Sequence, residues 1–139
     1  MLSRACEYAI QAAIYMAKKP RREYTLIREI SKELNIPHHF LGKIMQSLVK
    51  KGIMISHKGP KGGLALSKKA SEISMLDVVT AIDGSDFTSR CIIGLKKCED
   101  TSKCPLHITW CDKRENLKEM FSAESLAKLV KDLELTSQN

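Results

Sequence analysis

The spacing of apolar residues between positions 25 and 66 changes from a helical repeat to an alternating one. Two short segments repeat their apolar residues every three or four positions, which predicts two amphipathic helices. They are separated by Asn35-Ile36-Pro37, where asparagine tolerates the left-handed conformation that ends a helix and proline suits the first helical position. From Ile53 the alternation predicts a β-hairpin with the tip Gly59-Pro60-Lys61-Gly62-Gly63. Helix, turn, helix and hairpin is the order of a winged helix-turn-helix.

Capping residues and helix breakers predict where the first three helices begin and end. The first covers about residues 3–18 and stops before Pro20, and the third covers about residues 38–51. The second takes Thr25 as its N-cap and buries Leu26 on its apolar side. We therefore expect a mainly α fold with one small β-hairpin.

Three further helices are predicted after the hairpin. Ser74 and Asp77 form a capping-box pattern that opens the first of them. A long helix begins at Pro105 and extends to about Phe121, and a last short helix follows it. The segment 85–104 between them shows no regular apolar period.

The charge of the chain is unevenly distributed. Its 139 residues carry a net charge of +7, but residues 1–70 hold 14 Lys/Arg against 4 Asp/Glu, whereas residues 71–139 hold 9 against 12. A compact basic half predicts an anionic partner, most simply nucleic acid. We find neither an apolar run of the roughly 20 residues that a membrane helix needs nor a secretion signal. We therefore expect a cytoplasmic protein without a membrane partner.

The second helix of a helix-turn-helix presents its N-terminal residues to base edges of double-stranded DNA, and the wing follows the backbone. Glycines and lysines at the hairpin tip favour close approach to phosphates, which a plain exposed turn would not need. The polar side of the third helix, taken alone, is equally consistent with simple solvation. The candidate DNA-binding residues are His38, His39, Lys43, Gln46, Lys50, His57, Lys58, Gly59, Pro60, Lys61 and Gly62.

Three cysteines and a histidine fall within seventeen residues, namely Cys91, Cys98, Cys104 and His107. Thiolates and an imidazole this close together predict a metal centre, either an iron–sulfur cluster or zinc. Zinc is less favoured, because structural zinc sites usually contain two cysteines separated by two to four residues. His107 follows Cys104 by three residues, so we expect both on one helical face. A thiol-redox switch is a further alternative.

The two remaining cysteines, Cys6 and Cys111, are expected to be small buried hydrophobic residues rather than ligands. No Ser/His/Asp or paired-carboxylate arrangement stands out in the sequence, so we expect a protein that is not an enzyme. A metal centre in such a chain serves sensing better than catalysis.

Short motifs spread over nearly the whole chain carry a family resemblance. They are Glu7-Tyr8-Ala9, Ile30-Ser31, Ile36-Pro37, Gly59-Pro60-Lys61-Gly62-Gly63, Val78-x-x-Ala81-Ile82 and the cysteine segment through Trp110. With them the chain resembles the Rrf2 family of bacterial transcription regulators, in its IscR-like, NsrR-like and RirA-like, cluster-binding branch. The resemblance implies a homodimer that is joined by the long helix after the cysteines, binds a partly palindromic operator and acts most often as a repressor.

The resemblance also implies a cofactor. In IscR-type members three cysteines and a histidine hold a 2Fe-2S cluster, and these match the four residues above, so this cluster is favoured. NsrR-type members hold a 4Fe-4S cluster with an acidic residue of the first helix, which corresponds to Glu7 and makes it an alternative fourth ligand. The signal implied is iron, cluster status, nitric oxide or redox state.

The same resemblance implies a division of the chain. Residues 1–84 form the winged helix-turn-helix, 85–104 a cluster-binding loop, and 105–139 the dimerisation helix and the C-terminal helix. Two features depart from the family pattern. The first cysteine gap is one residue longer than the usual five, and the base-reading positions hold His39, Gly42 and Lys43 in place of the usual Ser, Glu and Gln. The operator sequence therefore does not transfer.

Overall fold

A computed structural model describes residues 2–20, 23–84 and 105–137 of the chain. In chain order the elements are α1 (Arg4–Ala17), α2 (Ile27–Leu34), α3 (His38–Lys50), β1 (Met54–His57), β2 (Gly63–Leu66), a 3-10 turn (Ala70–Glu72), α4 (Met75–Asp83), α5 (His107–Ala123) and α6 (Leu126–Ser137). The strands β1 and β2 pair antiparallel, with Met54 opposite Leu66 and His57 opposite Gly63. The predicted mainly α fold with one hairpin is confirmed.

The main core lies where α1, α3, α4 and the hairpin meet. Ser3 caps α1, because its Oγ accepts a hydrogen bond of 3.0 Å from the amide of Cys6. Small, fully buried side chains on α1 let neighbouring helices approach closely, and these are Ala9, Ala12 and Ala13. Leu126, the first residue of α6, is fully buried in the same core. The last helix therefore packs directly on the helix-turn-helix unit.

The turn between α2 and α3 forms as the sequence predicts. Asn35 has φ 54° and ψ 46°, which is the left-handed conformation. Ser31 Oγ donates a hydrogen bond to the carbonyl of Ile36 and holds the turn together. Pro37 is the N-cap of α3 rather than its first helical residue, because its ψ of 132° is extended. The buried side of α3 consists of Leu41, Ile44, Met45 and Leu48.

The predicted role of Thr25 as an N-cap is wrong. Thr25 is buried and pairs with Leu64 of β2 through two backbone hydrogen bonds of 2.8 Å, so it forms a one-residue β-bridge beside the hairpin. This pairing gives hydrogen-bond partners to both the N–H and the C=O of Thr25, whereas an N-cap side chain accepts only one hydrogen bond. The N-cap of α2 is consequently Leu26, which is 48% exposed instead of buried.

Helices α4 and α5 connect the helix-turn-helix unit to the C-terminal helix. Ser74 Oγ accepts from the amide of Asp77 at 3.1 Å, and Asp77 Oδ2 accepts from the amide of Ser74 at 2.9 Å, so the capping box is confirmed. α5 begins at His107, two residues later than predicted, because Pro105 and Leu106 form a turn. α5 packs against α4, and α4 packs against α1 and α3. A second small core joins α1, α4 and α5 through Cys6, Val79 and Phe121.

Candidate nucleic-acid interface and metal centre

Helix α3 presents a polar stripe to solvent. His39, Lys43, Gln46 and Lys50 are all exposed and are spaced by four, three and four residues, so they share one side of the helix. The apolar residues of α3 lie on the opposite side, against the core. His38, at the first position of α3, is also exposed. Five of the candidate DNA-binding side chains are therefore on the surface of one helix.

The hairpin tip presents a second set of exposed residues. The side chains of His57, Lys58, Pro60 and Lys61 are exposed, and Gly59 lies beside them with φ 116° and open space where a Cβ would lie. The ring of Tyr24 lies 5.0 Å from the ring of His57, centroid to centroid. This contact positions His57 between the tip and the start of α2.

The two glycines that end the tip have a different structural role. A Cβ on Gly62 would lie 2.2 Å from the carbonyl oxygen of His57, and a Cβ on Gly63 would lie 2.5 Å from the carbonyl oxygen of Thr25. Gly62 is itself buried. Both positions need glycine because backbone passes close to them, whereas the sequence interpretation related these glycines to phosphate approach.

A groove of about 390 Å³ separates the starts of α2 and α3 from the hairpin. Arg28, His38, Ser56 and His57 line it, together with apolar residues. Arg28 was missed by the sequence interpretation. Arg28 lies in the first turn of α2, and the first turn of a helix is where backbone amides and cationic side chains can face phosphates. That position is the sequence signal that could have identified it.

The residues predicted to bind a metal fall in different parts of the chain. Cys91, Cys98 and Cys104 lie outside the described residues. His107 is half-buried at the start of α5. The helical face that we expected His107 to share with Cys104 involves a residue outside the described ones, so it stays a prediction. Glu7 is exposed in the first turn of α1.

The two other cysteines differ sharply in their surroundings. Cys6 is fully buried, as predicted, and burial followed by the nearby Asp83 carboxylate raises the pKa of its thiol to about 12. Cys111 is instead half-buried, with its Sγ 3.7 Å from His107 Nδ1 and 3.7 Å from Arg114 Nη2. The expectation that Cys111 is a small buried hydrophobic residue is therefore wrong.

The sequence of this chain matches a known protein family over nearly its whole length. Residues 2–132 match the Rrf2 family, described as "Iron-dependent Transcriptional regulator". The chain belongs to the Rrf2 family. As an Rrf2 protein it is a transcriptional regulator and not an enzyme, and DNA binding belongs to that role. The resemblance that the sequence motifs carried is confirmed.

Named relatives agree with this assignment. The HTH-type transcriptional regulator IscR of Serratia proteamaculans is 32% identical over 123 residues, which cover 88% of this chain and 74% of that protein. Two solved structures share the fold. T. potens IscR has a TM-score of 0.78 at 19% identity, covering 96% of this chain and 88% of that one. CymR of B. subtilis, the global cysteine regulator, has a TM-score of 0.77 at 23% identity, covering 94% and 96%.

The Rrf2 neighbours are winged-helix regulators, so the winged helix-turn-helix is confirmed as the fold of this chain. Within the ranges 2–20, 23–84 and 105–137, no helix is both long and apolar enough to cross a bilayer.

Proposed function

We propose that this Rrf2 protein is a homodimeric regulator whose occupancy of a partly palindromic operator depends on an iron–sulfur cluster, with repression as its mode of action. The proposed ligands are Cys91, Cys98, Cys104 and His107, and 2Fe-2S is the favoured cluster. The observation that carries the proposal is the position of His107 at the start of α5, on the helix that packs against α4. α4 in turn contacts the proposed recognition helix α3.

The charge and exposure of two elements support DNA binding. The stripe on α3 offers lysine, histidine and glutamine side chains, which are suited to base edges and phosphates. The hairpin adds Lys58 and Lys61 on the other side of the groove that Arg28 and His38 line. We propose that α3 enters the major groove while the hairpin tip contacts the backbone, as in other winged helix-turn-helix proteins.

Packing around α5 supports coupling between the metal centre and the DNA surface. Phe121 of α5 is buried with Val79 of α4 and Cys6 of α1, so the three helices share a small core. α1 also contacts α3, where the Tyr8 ring meets the Phe40 ring edge-on at 5.7 Å. A shift of α5 would therefore reach α3 through packed side chains rather than through a loop. Allosteric coupling of this kind is typically worth about 1–3 kcal/mol.

A bound iron–sulfur cluster would change its oxidation state or lose iron when the redox state or the iron supply of the cell changes. The relatives named IscR and the family description support iron as the metal. The described donors agree with that chemistry, since His107 provides an imidazole at a half-buried position. Glu7 is the alternative fourth ligand, and a zinc or thiol-redox regulator is the alternative function.

Exposed apolar residues support the homodimer. Among the described residues, seven large apolar side chains are exposed, and five of them lie between positions 105 and 137. They are Leu106, Ile108, Met120, Leu133 and Leu135. Burial of such residues against a second copy would stabilise a dimer through α5 and α6.

Metal analysis of anaerobically purified protein tests the proposal. We expect a coloured protein with iron and acid-labile sulfide, and Cys98→Ala should abolish the colour. Cys6→Ala is the matched control, because Cys6 is buried in the second core and should not be a ligand. Spectra of His107→Ala and Glu7→Ala decide the fourth ligand. A colourless protein with one zinc per chain would refute the cluster and support the zinc alternative.

A further inference from the structure

The groove between the helix starts and the hairpin lies between the two elements that we expect to contact DNA. His38, the first residue of α3, lines it, and so do Ser56 and His57 of β1. A helix in the major groove and a wing on the adjoining backbone are separated by one sugar–phosphate strand of the duplex. A duplex that contacts both elements therefore passes one strand over this groove.

Arg28 gives this groove a positive charge. Its side chain is exposed in the first turn of α2, and none of the described residues that line the groove is acidic. The neighbouring carboxylate of Glu29 pairs with Lys19 Nζ at 3.5 Å instead. A planar guanidinium can donate two parallel hydrogen bonds to phosphate oxygens, and the hydroxyl of Ser56 can donate another. The polar part of the lining is therefore suited to a phosphate group.

The apolar part of the lining is suited to the carbon atoms of deoxyribose. Leu26, the N-cap of α2, is 48% exposed and lines the groove together with Ile27 and the buried Leu64. A DNA strand alternates anionic phosphates with apolar sugar carbons, so a cation beside an exposed leucine is complementary to it. A small inorganic anion would leave Leu26 in water. The combination therefore favours a nucleic-acid strand over a free phosphate ion.

Contacts beside the groove join its two sides. The two backbone hydrogen bonds of 2.8 Å between Thr25 and Leu64 link the residues before α2 to β2. Gly63 allows this approach, since a Cβ there would lie 2.5 Å from the carbonyl oxygen of Thr25. The Tyr24 ring, 5.0 Å from the His57 ring, adds a second link between the same segments. The groove is therefore formed in the free protein, which lowers the entropic cost of binding a strand in it.

We propose that this groove binds one sugar–phosphate strand of the operator, with Arg28 donating hydrogen bonds to a phosphate and Leu26 packing against the neighbouring sugar. The contact adds α2 to a DNA surface otherwise formed by α3 and the hairpin tip. It rests on the proposed function, because a strand reaches the groove only if α3 and the hairpin bind the same duplex. Arg28 is then a positioning residue, which reads no base but fixes where α3 lies along the major groove.

Duplexes that carry a single neutral methylphosphonate test the contact. The full chain is titrated with a palindromic duplex that the wild-type protein has selected from a random pool, with the substitution moved along each strand. At one phosphate of a half-site, the substitution should weaken wild-type binding by about tenfold and Arg28→Ala binding by less than about twofold. Arg28→Lys keeps the charge without the planar fork, so its response should lie between these two. Lys131→Ala, exposed on α6, should respond as the wild type does. The same response of Arg28→Ala and the wild type at every phosphate would overturn the proposal.

A scrambled duplex gives a second measurement. Arg28→Ala should weaken binding to the selected and the scrambled duplex by the same factor, because a phosphate contact carries no sequence information. A loss confined to the selected duplex would overturn the phosphate contact. Lys43→Ala separates the two hypotheses: weaker binding of this variant beside unchanged binding of Arg28→Ala refutes the groove alone. The predicted phosphate response in a wild-type protein that contains no iron refutes the cluster alone.

Discussion

Replacing Lys43 by alanine should lower both the affinity for DNA and its dependence on salt. Four lysines are exposed on the proposed DNA surface of each protomer, two on α3 and two at the hairpin tip. A dimer would then neutralise eight phosphates, and the slope of log K against log salt would be about −7. Lys43→Ala removes two of these contacts, so we expect a slope of about −5.

The difference is large enough to measure by mobility shift or fluorescence anisotropy. Doubling the salt concentration should weaken wild-type binding roughly 150-fold and Lys43→Ala binding roughly 40-fold. Lys131→Ala is the control, because Lys131 is exposed on α6, the helix that packs against α1 and the 3-10 turn. An unchanged slope in Lys43→Ala, or the same change in Lys131→Ala, would refute the assignment of this surface.

Three further predictions concern the stability of the fold. Gly63→Ala, whose Cβ would lie 2.5 Å from a backbone oxygen, should cost about 2 kcal/mol in denaturant unfolding and more than Gly59→Ala, which also has positive φ but open space. Equal costs would contradict the close approach. Leu126→Ala should cost about 2–5 kcal/mol, whereas Ile55→Ala, at a 43% exposed position of β1, should cost less than about 1, and a reversed order would contradict the shared core. The raised pKa of Cys6, from 9.0 to about 12, means that the unfolded thiol ionises first, so stability should fall as pH rises between these values. Cys6→Ala should flatten that fall, and an identical pH profile would count against the buried thiol.

Much of the helix-turn-helix could be predicted from sequence because local signals there agree with the packing. Asn35 can adopt the left-handed conformation at small cost, and the alternation after Gly52 leads to a strand. The exposed stripe on α3 follows from the same helical periodicity that predicts its buried side. These features depend on neighbours in the chain.

Sequence-based predictions failed mainly where a contact with a residue far away in the chain determines the local structure. Thr25 carries a good capping side chain, but the backbone of Leu64 offers two hydrogen bonds that no local pattern reveals. Cys111 is an exception, because His107 and Arg114 lie one turn away on the same helix, so helical spacing could have predicted both neighbours of its sulfur. Arg28 lines the groove only because the hairpin returns to face α2. Contacts of this kind need the folded chain.

Operator affinity measured with and without the metal centre tests the central claim most directly. Anaerobically purified protein and the same protein after removal of its iron should be compared on one operator fragment, at one salt concentration. Coupling through α5, α4 and α3 predicts that the two affinities differ by at least about fivefold. Equal affinities of the two forms, with iron and sulfide confirmed in the first, would contradict the account.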